Sequence, residues 1–289
     1  MIQMKLNYFT KDDSFPFFIQ YGRHEEDLFI HTHEDFSELV IVLEGSAAHI
    51  VDDEEFQIHK GDVFVIGNKT SHGYRNTENF QICNIMYRLN YLFPGDYDIT
   101  KSAGFHALFL LEPYFSKEYK FVSRLKLDQV HFDKVYTIVD SMMREFQDKL
   151  EGWCTLLQSN FMTLVVLLSR LYDFNTNFKK TDMINIAKAV SYIENHFMED
   201  ISIHLLAELS HYSKRHFIRI FSETYQTTPL NYIITLKIRH ACALLKESSL
   251  PVSNIALLCG FNDSNYFSRI FKKQMGITPT HYRNSLNLR

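Results

Sequence analysis

Phe217-x-Arg219-Ile220-Phe221 with Thr228-Pro229-x-x-Tyr232, and Phe267-x-Arg269-Ile270-Phe271 with Thr278-Pro279-x-x-Tyr282, are one pattern written twice, fifty residues apart. Upstream, Ala207 and Leu209 match Ala256 and Leu258 at an offset of forty-nine. The one-residue difference falls between two helical patterns, where length changes are tolerated best. The simplest unit that repeats in this way is a helix, a tight turn and a second helix, so the last ninety residues are predicted to hold two helix-turn-helix modules in tandem.

Local signals agree. Leu205, Leu206 and Leu209 have helical spacing, Ser210–Tyr212 interrupts it, and Ser213 can cap a helix through Phe217, Ile220 and Phe221. In the second copy Ile255, Ala256 and Leu258 lead to Cys259-Gly260, where glycine suits a left-handed turn, and Asn262 or Asp263 can cap the next helix. With the phenylalanines turned inward, Ser213, Lys214, Arg215, Ile218, Arg219 and Ser222 face out in the first module. Ser264, Asn265, Ser268, Arg269, Lys272 and Lys273 do so in the second. Leu230 to Leu245 lacks Pro and Gly and reads as one helix joining the modules.

Charge names the partner. Residues 201–289 hold eleven Lys and Arg against four Asp and Glu, a net of +7, so the chain's −4 leaves −11 on residues 1–200. A basic helical face could be merely solvated. The duplication shifts the balance towards double-stranded DNA: Lys and Arg suit phosphates, and Arg, Asn and Ser read base edges in a major groove.

The ordered residues Ile255-Ala256, Gly260-Phe261, Asp263-Ser264-Asn265-Tyr266-Phe267, Phe271-Lys272-Lys273 and Gly276-x-Thr278-Pro279-x-x-Tyr282-Arg283 resemble the signature of AraC-type bacterial transcription regulators. That resemblance implies a homodimer, a small-molecule inducer and RNA polymerase as a partner. One departure is Gln226, standing where the second copy has Gly276, which leaves the turn geometry of the first module open.

The preceding chain has another texture. Leu39–Leu43, Ala48–Val51 and Val63–Ile66 are short β-branched runs parted by turn signals at Glu44-Gly45, Asp52-Asp53 and Lys60-Gly61-Asp62, which predicts a small β-barrel. His31 and His33 lie two apart on one strand and so face one side, with Glu38 and His72 on neighbouring strands able to close a divalent-metal site. Alternatively these four groups hydrogen-bond one another and line a pocket without metal. The spacing, continued by Gly45, Gly61-Asp62 and Asn76, resembles the two cupin motifs, although Gly67-Asn68-Lys69-Thr70 lacks the proline common there. A small-molecule pocket is expected here, lined by His31, His33, Glu38 and His72 with Phe36, Phe64 and Tyr74. His31–Tyr87, Leu92-Phe93-Pro94 and Tyr192–Phe197 further resemble the rhamnose-responsive AraC-type activators, which implies a sugar inducer, with L-rhamnose leading.

Between these regions, Val130–Phe146 and Trp153–Tyr172 have helical apolar stripes. Gln158, Ser159, Asn160 and Arg170 on the other side of the second argue against a membrane span. This pair is where a dimer contact is expected, with Asp173–Thr181 as the linker. The predicted architecture is α+β: a cupin-like β-barrel sensor over 1–125, a helical dimerisation and linker region over 126–178, and an all-α tandem helix-turn-helix domain over 179–289. Cysteines 83, 154, 242 and 259 show no CxxC spacing, and the first residues lack the apolar core of a signal peptide, which together predict a cytoplasmic protein. A metal-dependent cupin enzyme with an appended DNA-binding domain is the competing function. No further acid/base group stands at a readable spacing, so a non-catalytic regulator is expected.

Overall fold

A computed structural model describes residues 2–12, 14–52, 54–68, 70–88, 97–115, 125–174 and 181–286. Leu92-Phe93-Pro94 and the body of the expected linker lie outside the described residues. The chain divides into two compact units, residues 1–187 and 188–289.

The first unit contains strands β1 (Ile2–Met4), β2 (Phe17–His24), β3 (Leu28–His33), β4 (Ser37–Val51), β5 (Glu54–His59), β6 (Asp62–Ile66), β7 (His72–Tyr87) and β8 (Leu125–Lys126). Their order is β1-β3-β7-β4-β6-β8, with β2 added on β7 and β5 on β4. The long strands β4 and β7 run antiparallel along almost their whole length and carry the other strands on both sides. Val40, Val42, Ala47, Val51, Ile58, Phe64, Ile66, Tyr74, Phe80 and Ile82, drawn from four strands, meet in one buried cluster, the interior of the barrel.

Glu44-Gly45 is not a turn. β4 continues through it with irregular register against β7, and Gly45 sits at φ +71° with the β7 backbone so close that a Cβ would lie 2.1 Å from the Glu78 carbonyl oxygen. Only glycine allows that approach, so the signal marks a β-bulge inside one strand rather than the gap between two.

Helices α1 (Gln129–Asp148) and α2 (Trp153–Phe174) extend the two predicted helices by a few residues. Asp128 caps α1 by accepting from the His131 backbone N–H at 2.8 Å. Instead of forming a separate bridge, they pack on the barrel. Phe161 meets Phe17 edge-on and Tyr87 at a tilt, Phe146 meets Phe18, and Trp153 meets Phe15. The barrel's outer face is therefore apolar where these helices cover it, and the first structural unit takes in the helical region. By length and composition α2 could also cross a membrane; in the folded chain Leu157, Phe161, Leu164, Val165 and Leu168 are fully buried.

The second unit follows the duplication. Helix α3 (Thr181–His196) runs into it, then come α4 (Ile203–Leu209), α5 (Lys214–Tyr225), α6 (Pro229–Glu247), α7 (Val252–Leu258), α8 (Ser264–Met275) and α9 (Pro279–Leu286). Ser213 caps α5, Thr228 caps α6 with Pro229 as its first residue, and Asp263 rather than Asn262 caps α8. The turns between paired helices both use a left-handed residue, His211 at φ +57° and Gly260 at φ +74°. Gln226 also takes the geometry of its glycine counterpart, so the departure from the motif leaves the first module's fold intact.

Candidate metal centre and nucleic-acid interface

Strand alternation brings the four predicted ligands together. His31 and His33 lie on β3, Glu38 near the start of β4 and His72 at the start of β7, where it stands opposite His31 in the β3–β7 ladder. The potential donor atoms of all four lie within 4.8 Å of one another. Three converge more tightly: a Glu38 carboxylate oxygen is 3.3 Å from Nε2 of both His33 and His72, and these two nitrogens are 3.1 Å apart. Legs of ~2.0–2.1 Å to a tetrahedral zinc put ligand atoms about 3.3–3.4 Å from each other, so the donor set fits a divalent ion of that size. His31 stands at the half-buried mouth, its Nδ1 3.2 Å from the Phe29 carbonyl oxygen, which leaves Nε2 as the atom for a ligand.

Electrostatics point the same way. Burial pushes the Glu38 carboxyl up, but hydrogen bonds from His33 and His72 outweigh it and hold the group ionised, well below the usual carboxylate range. Burial brings His72 down to about 4, so its imidazole is neutral at neutral pH. A buried anion beside a neutral imidazole is an environment that a cation completes. Phe36 stacks on His33 with ring centres 4.3 Å apart, which fixes the imidazole plane.

Tyr74 and Phe64, predicted to line the pocket, belong to the barrel interior. Between their rings lies His49, stacked 4.6 Å from Phe64 and 5.0 Å from Tyr74, with its edge towards His72 at 5.7 Å. The sequence reading missed His49. Burial raises the Tyr74 hydroxyl well above its ordinary pKa, with the Glu38 charge adding to the shift, so it stays protonated.

In the second unit the predicted reading faces are exposed. Ser213, Lys214, Arg215, Ile218 and Arg219 are open to solvent, as are Asn265, Arg269, Lys272 and Lys273, while Ser264 and Ser268 are half-buried. Phe217, Ile220, Phe221, Phe267 and Phe271 anchor the opposite faces in the core. Two arginines at matching positions are held by their own helices: Arg219 pairs with Glu223 at 3.0 Å, and the Arg269 guanidinium lies over the Tyr266 ring at 5.4 Å. The repeated tyrosines have structural tasks, Tyr232 donating to the buried Glu194 of α3 and Tyr282 meeting Cys242 of α6.

Residues 18–86 match the cupin domain family, and residues 206–285 match a helix-turn-helix domain family. The first span contains all four clustered ligands, and the second runs from α4 into α9. The chain is 27% identical to the HTH-type transcriptional activator RhaS of Enterobacter sp. (strain 638), over 87% of this chain and 86% of that protein. It is 24% identical to the HTH-type transcriptional activator RhaR of Mannheimia succiniciproducens, over 96% and 94%. The chain carries a cupin domain and an AraC-type helix-turn-helix domain. The AraC-type reading domain is also 30% identical to the DNA-binding domain of AdpA, solved in complex with a target DNA, over 36% of this chain and 95% of that one, with a TM-score of 0.35. The chain thus pairs a cupin domain with a helix-turn-helix domain, and the two relatives named are transcriptional activators.

Proposed function

We propose that this regulator is an inducer-responsive activator of sugar-utilisation genes that binds double-stranded DNA through α5 and α8. The observation that carries the reading is the duplicated module: two twelve-residue helices, each held by the same inner aromatics, each presenting a polar outer face. Ser213, Lys214, Arg215, Ile218 and Arg219 contact DNA from the first, and Ser264, Asn265, Ser268, Arg269, Lys272 and Lys273 from the second. Joined by the uninterrupted α6, they enter successive major grooves roughly 34 Å apart on one face of the duplex.

The inducer is a small polyhydroxylated molecule, with L-rhamnose first among candidates because the similar activators are RhaS and RhaR. It binds at the barrel mouth, where His31, His33, Glu38 and His72 would hold a divalent metal able to polarise and orient its hydroxyls. By itself the donor set would suit a metal-dependent cupin enzyme equally well; the reading domain favours regulation. We place a homodimer contact on the α1–α2 pair, whose outer side includes a shallow groove along Met162, Val166 and Leu167. RNA polymerase is the partner through which bound DNA becomes activation, and the cytoplasm is the compartment. Footprinting of the full-length protein across its own promoter region, with and without L-rhamnose, tests the proposal. Protected DNA that responds to sugar is the expected result, and no protection anywhere would end the reading.

A further inference from the structure

A cleft of about 250 Å³ opens within the second unit, where the loop after α3, the first half of α6 and the turn between α7 and α8 meet. The chain itself fixes its shape. The Met198 carbonyl oxygen of the loop comes so near Gly260 that a Cβ there would lie 1.9 Å from it, and Lys237 of α6 donates to the Gly260 carbonyl oxygen at 2.7 Å. Loop, connecting helix and turn are thus held together before any ligand arrives.

The walls are apolar. Ile233 and Ile234 come from α6, Phe261 and Tyr266 from the turn and the start of α8, and the two rings stand 6.2 Å apart at 52°. Two rings set at an angle in an apolar cleft suit a third, flat ring. The volume falls below the roughly 300–1,000 Å³ of drug-sized sites, so the occupant is small.

Charge around the cleft has both signs. Lys237 supplies an ammonium 5.5 Å from the centre of the Phe261 ring; burial lowers its pKa and the charge of Asp200 opposes that shift. One of its donors goes to Gly260, which leaves the others for a ligand. Carboxylates come from Glu199, Asp200 and Asp263. Asp263 accepts from the backbone N–H groups of Asn265 and Tyr266 as the cap of α8, and Glu199 pairs with His196 at 2.9 Å, which leaves Asp200 to meet a ligand. A purely anionic occupant would face these carboxylates with one ammonium to offset them, and a purely cationic one would leave the Lys237 donors unmatched. A zwitterion satisfies both.

We infer that this cleft binds a small aromatic amino acid, its ring against Phe261 and Tyr266, its α-carboxylate accepting from Lys237 and its α-ammonium donating to Asp200. The site is built from the second unit alone and is distinct from the inducer site at the barrel mouth. Its occupant touches both α6 and the start of α8, so it ties the second module to the connecting helix and gives the helix-turn-helix unit an effector input of its own.

Titration calorimetry of the full-length protein with L-phenylalanine, 3-phenylpropionate and phenethylamine tests this. L-Phenylalanine should bind, and each analogue, lacking one charged group, should bind about tenfold more weakly or worse. Asp200→Asn should erase the advantage of L-phenylalanine over 3-phenylpropionate and keep its advantage over phenethylamine; Lys237→Gln should do the reverse. Lys237 also holds the Gly260 turn, so Asp200→Asn, on the exposed loop, is the arm that keeps the fold. Absence of binding by both L-phenylalanine and L-tyrosine, 3-phenylpropionate bound as tightly as L-phenylalanine, or binding indifferent to Asp200→Asn would each overturn the inference, while leaving the DNA-binding function and the barrel cluster as they stand.

Discussion

Gln226 adopts the left-handed conformation of Gly276, its counterpart fifty residues on: φ 54° and ψ 26° against φ 78° and ψ −21°. Both cap the second helix of a helix-turn-helix module. A non-glycine residue there bears a strain of about 1–2 kcal/mol, which Gln226 offsets partly by donating from its side-chain amide to the Glu223 carbonyl at 2.6 Å. Gly276 has open space where a Cβ would go, so only its backbone angle restricts it. Gln226→Ala keeps the strain and drops the hydrogen bond, and should lower stability by about 1 kcal/mol; Gln226→Gly should stay within about 0.5 kcal/mol of wild type. Gly276→Ala should cost about 1 kcal/mol. Urea unfolding followed by far-ultraviolet circular dichroism measures all three, and a Gln226→Gly variant less stable than Gln226→Ala would contradict the account.

Arg269 and Lys272 share a helix and should respond differently to removal. If, as proposed, Arg269, held over Tyr266, reads a base, Arg269→Ala should weaken specific binding by about 1–3 kcal/mol with little change on random DNA. Lys272→Ala should weaken both and reduce the salt slope by about one. Titration of labelled duplexes at several salt concentrations separates the outcomes, and equal losses on both DNAs for Arg269→Ala would make it a phosphate contact.

The duplicated modules were legible because the same buried residues recur at a fixed offset, and an apolar pattern repeated at constant spacing is the mark that a duplicated structural unit leaves on a chain. The metal-type cluster was legible because strand alternation puts His31 and His33 on one side whatever the rest of the barrel does. His49 was hidden by the bulge. Glu38, Val40 and Val42 face inward before Gly45, and Ala47, His49 and Val51 after it, so the inward parity flips from even to odd. A turn and a bulge both call for glycine at positive φ, and the sequence does not separate them. Likewise the stripes of α1 and α2 announce that each helix buries a face, but not that the barrel's Phe17, Phe18 and Tyr87 are what it meets.

His106 makes the first unit acid-sensitive. Burial takes its pKa from 6.5 down to about 4, and its neutral ring lies with Nε2 2.6 Å from the Thr100 carbonyl oxygen. Between these values the unfolded chain binds a proton that the folded chain does not, so the contribution is complete above pH 6.5 and is lost as pH falls towards 4. The slope from this group approaches about 1.4 kcal/mol per pH unit. Stability measured across that window should fall, and His106→Phe should remove close to one proton from the pH dependence whatever it does to absolute stability. An unchanged slope in the variant would place the sensitivity elsewhere.

Glu38 gives the test that separates a metal centre from a polar pocket. If a divalent ion is held by His33, Glu38 and His72 with His31 at the mouth, elemental analysis of purified protein should find about one ion per chain, and His33→Ala with His72→Ala should abolish it. Such an ion at a hundred times its dissociation constant stabilises the fold by about 2.7 kcal/mol, so chelation should lower the melting temperature. Glu38→Gln should then cost more stability with metal present than after chelation. With metal present it weakens coordination as well as the contacts to His33 and His72; after chelation only those contacts to the carboxylate, buried to within 2% of its surface, are lost. In a metal-free pocket the carboxylate would serve as a hydrogen-bond acceptor for His33 and His72, and Glu38→Gln would destabilise equally with or without chelator. Thermal melts of both proteins, each with and without chelator and with and without L-rhamnose, give the answer: a sugar-induced shift that survives chelation unchanged would leave these four residues as pocket lining.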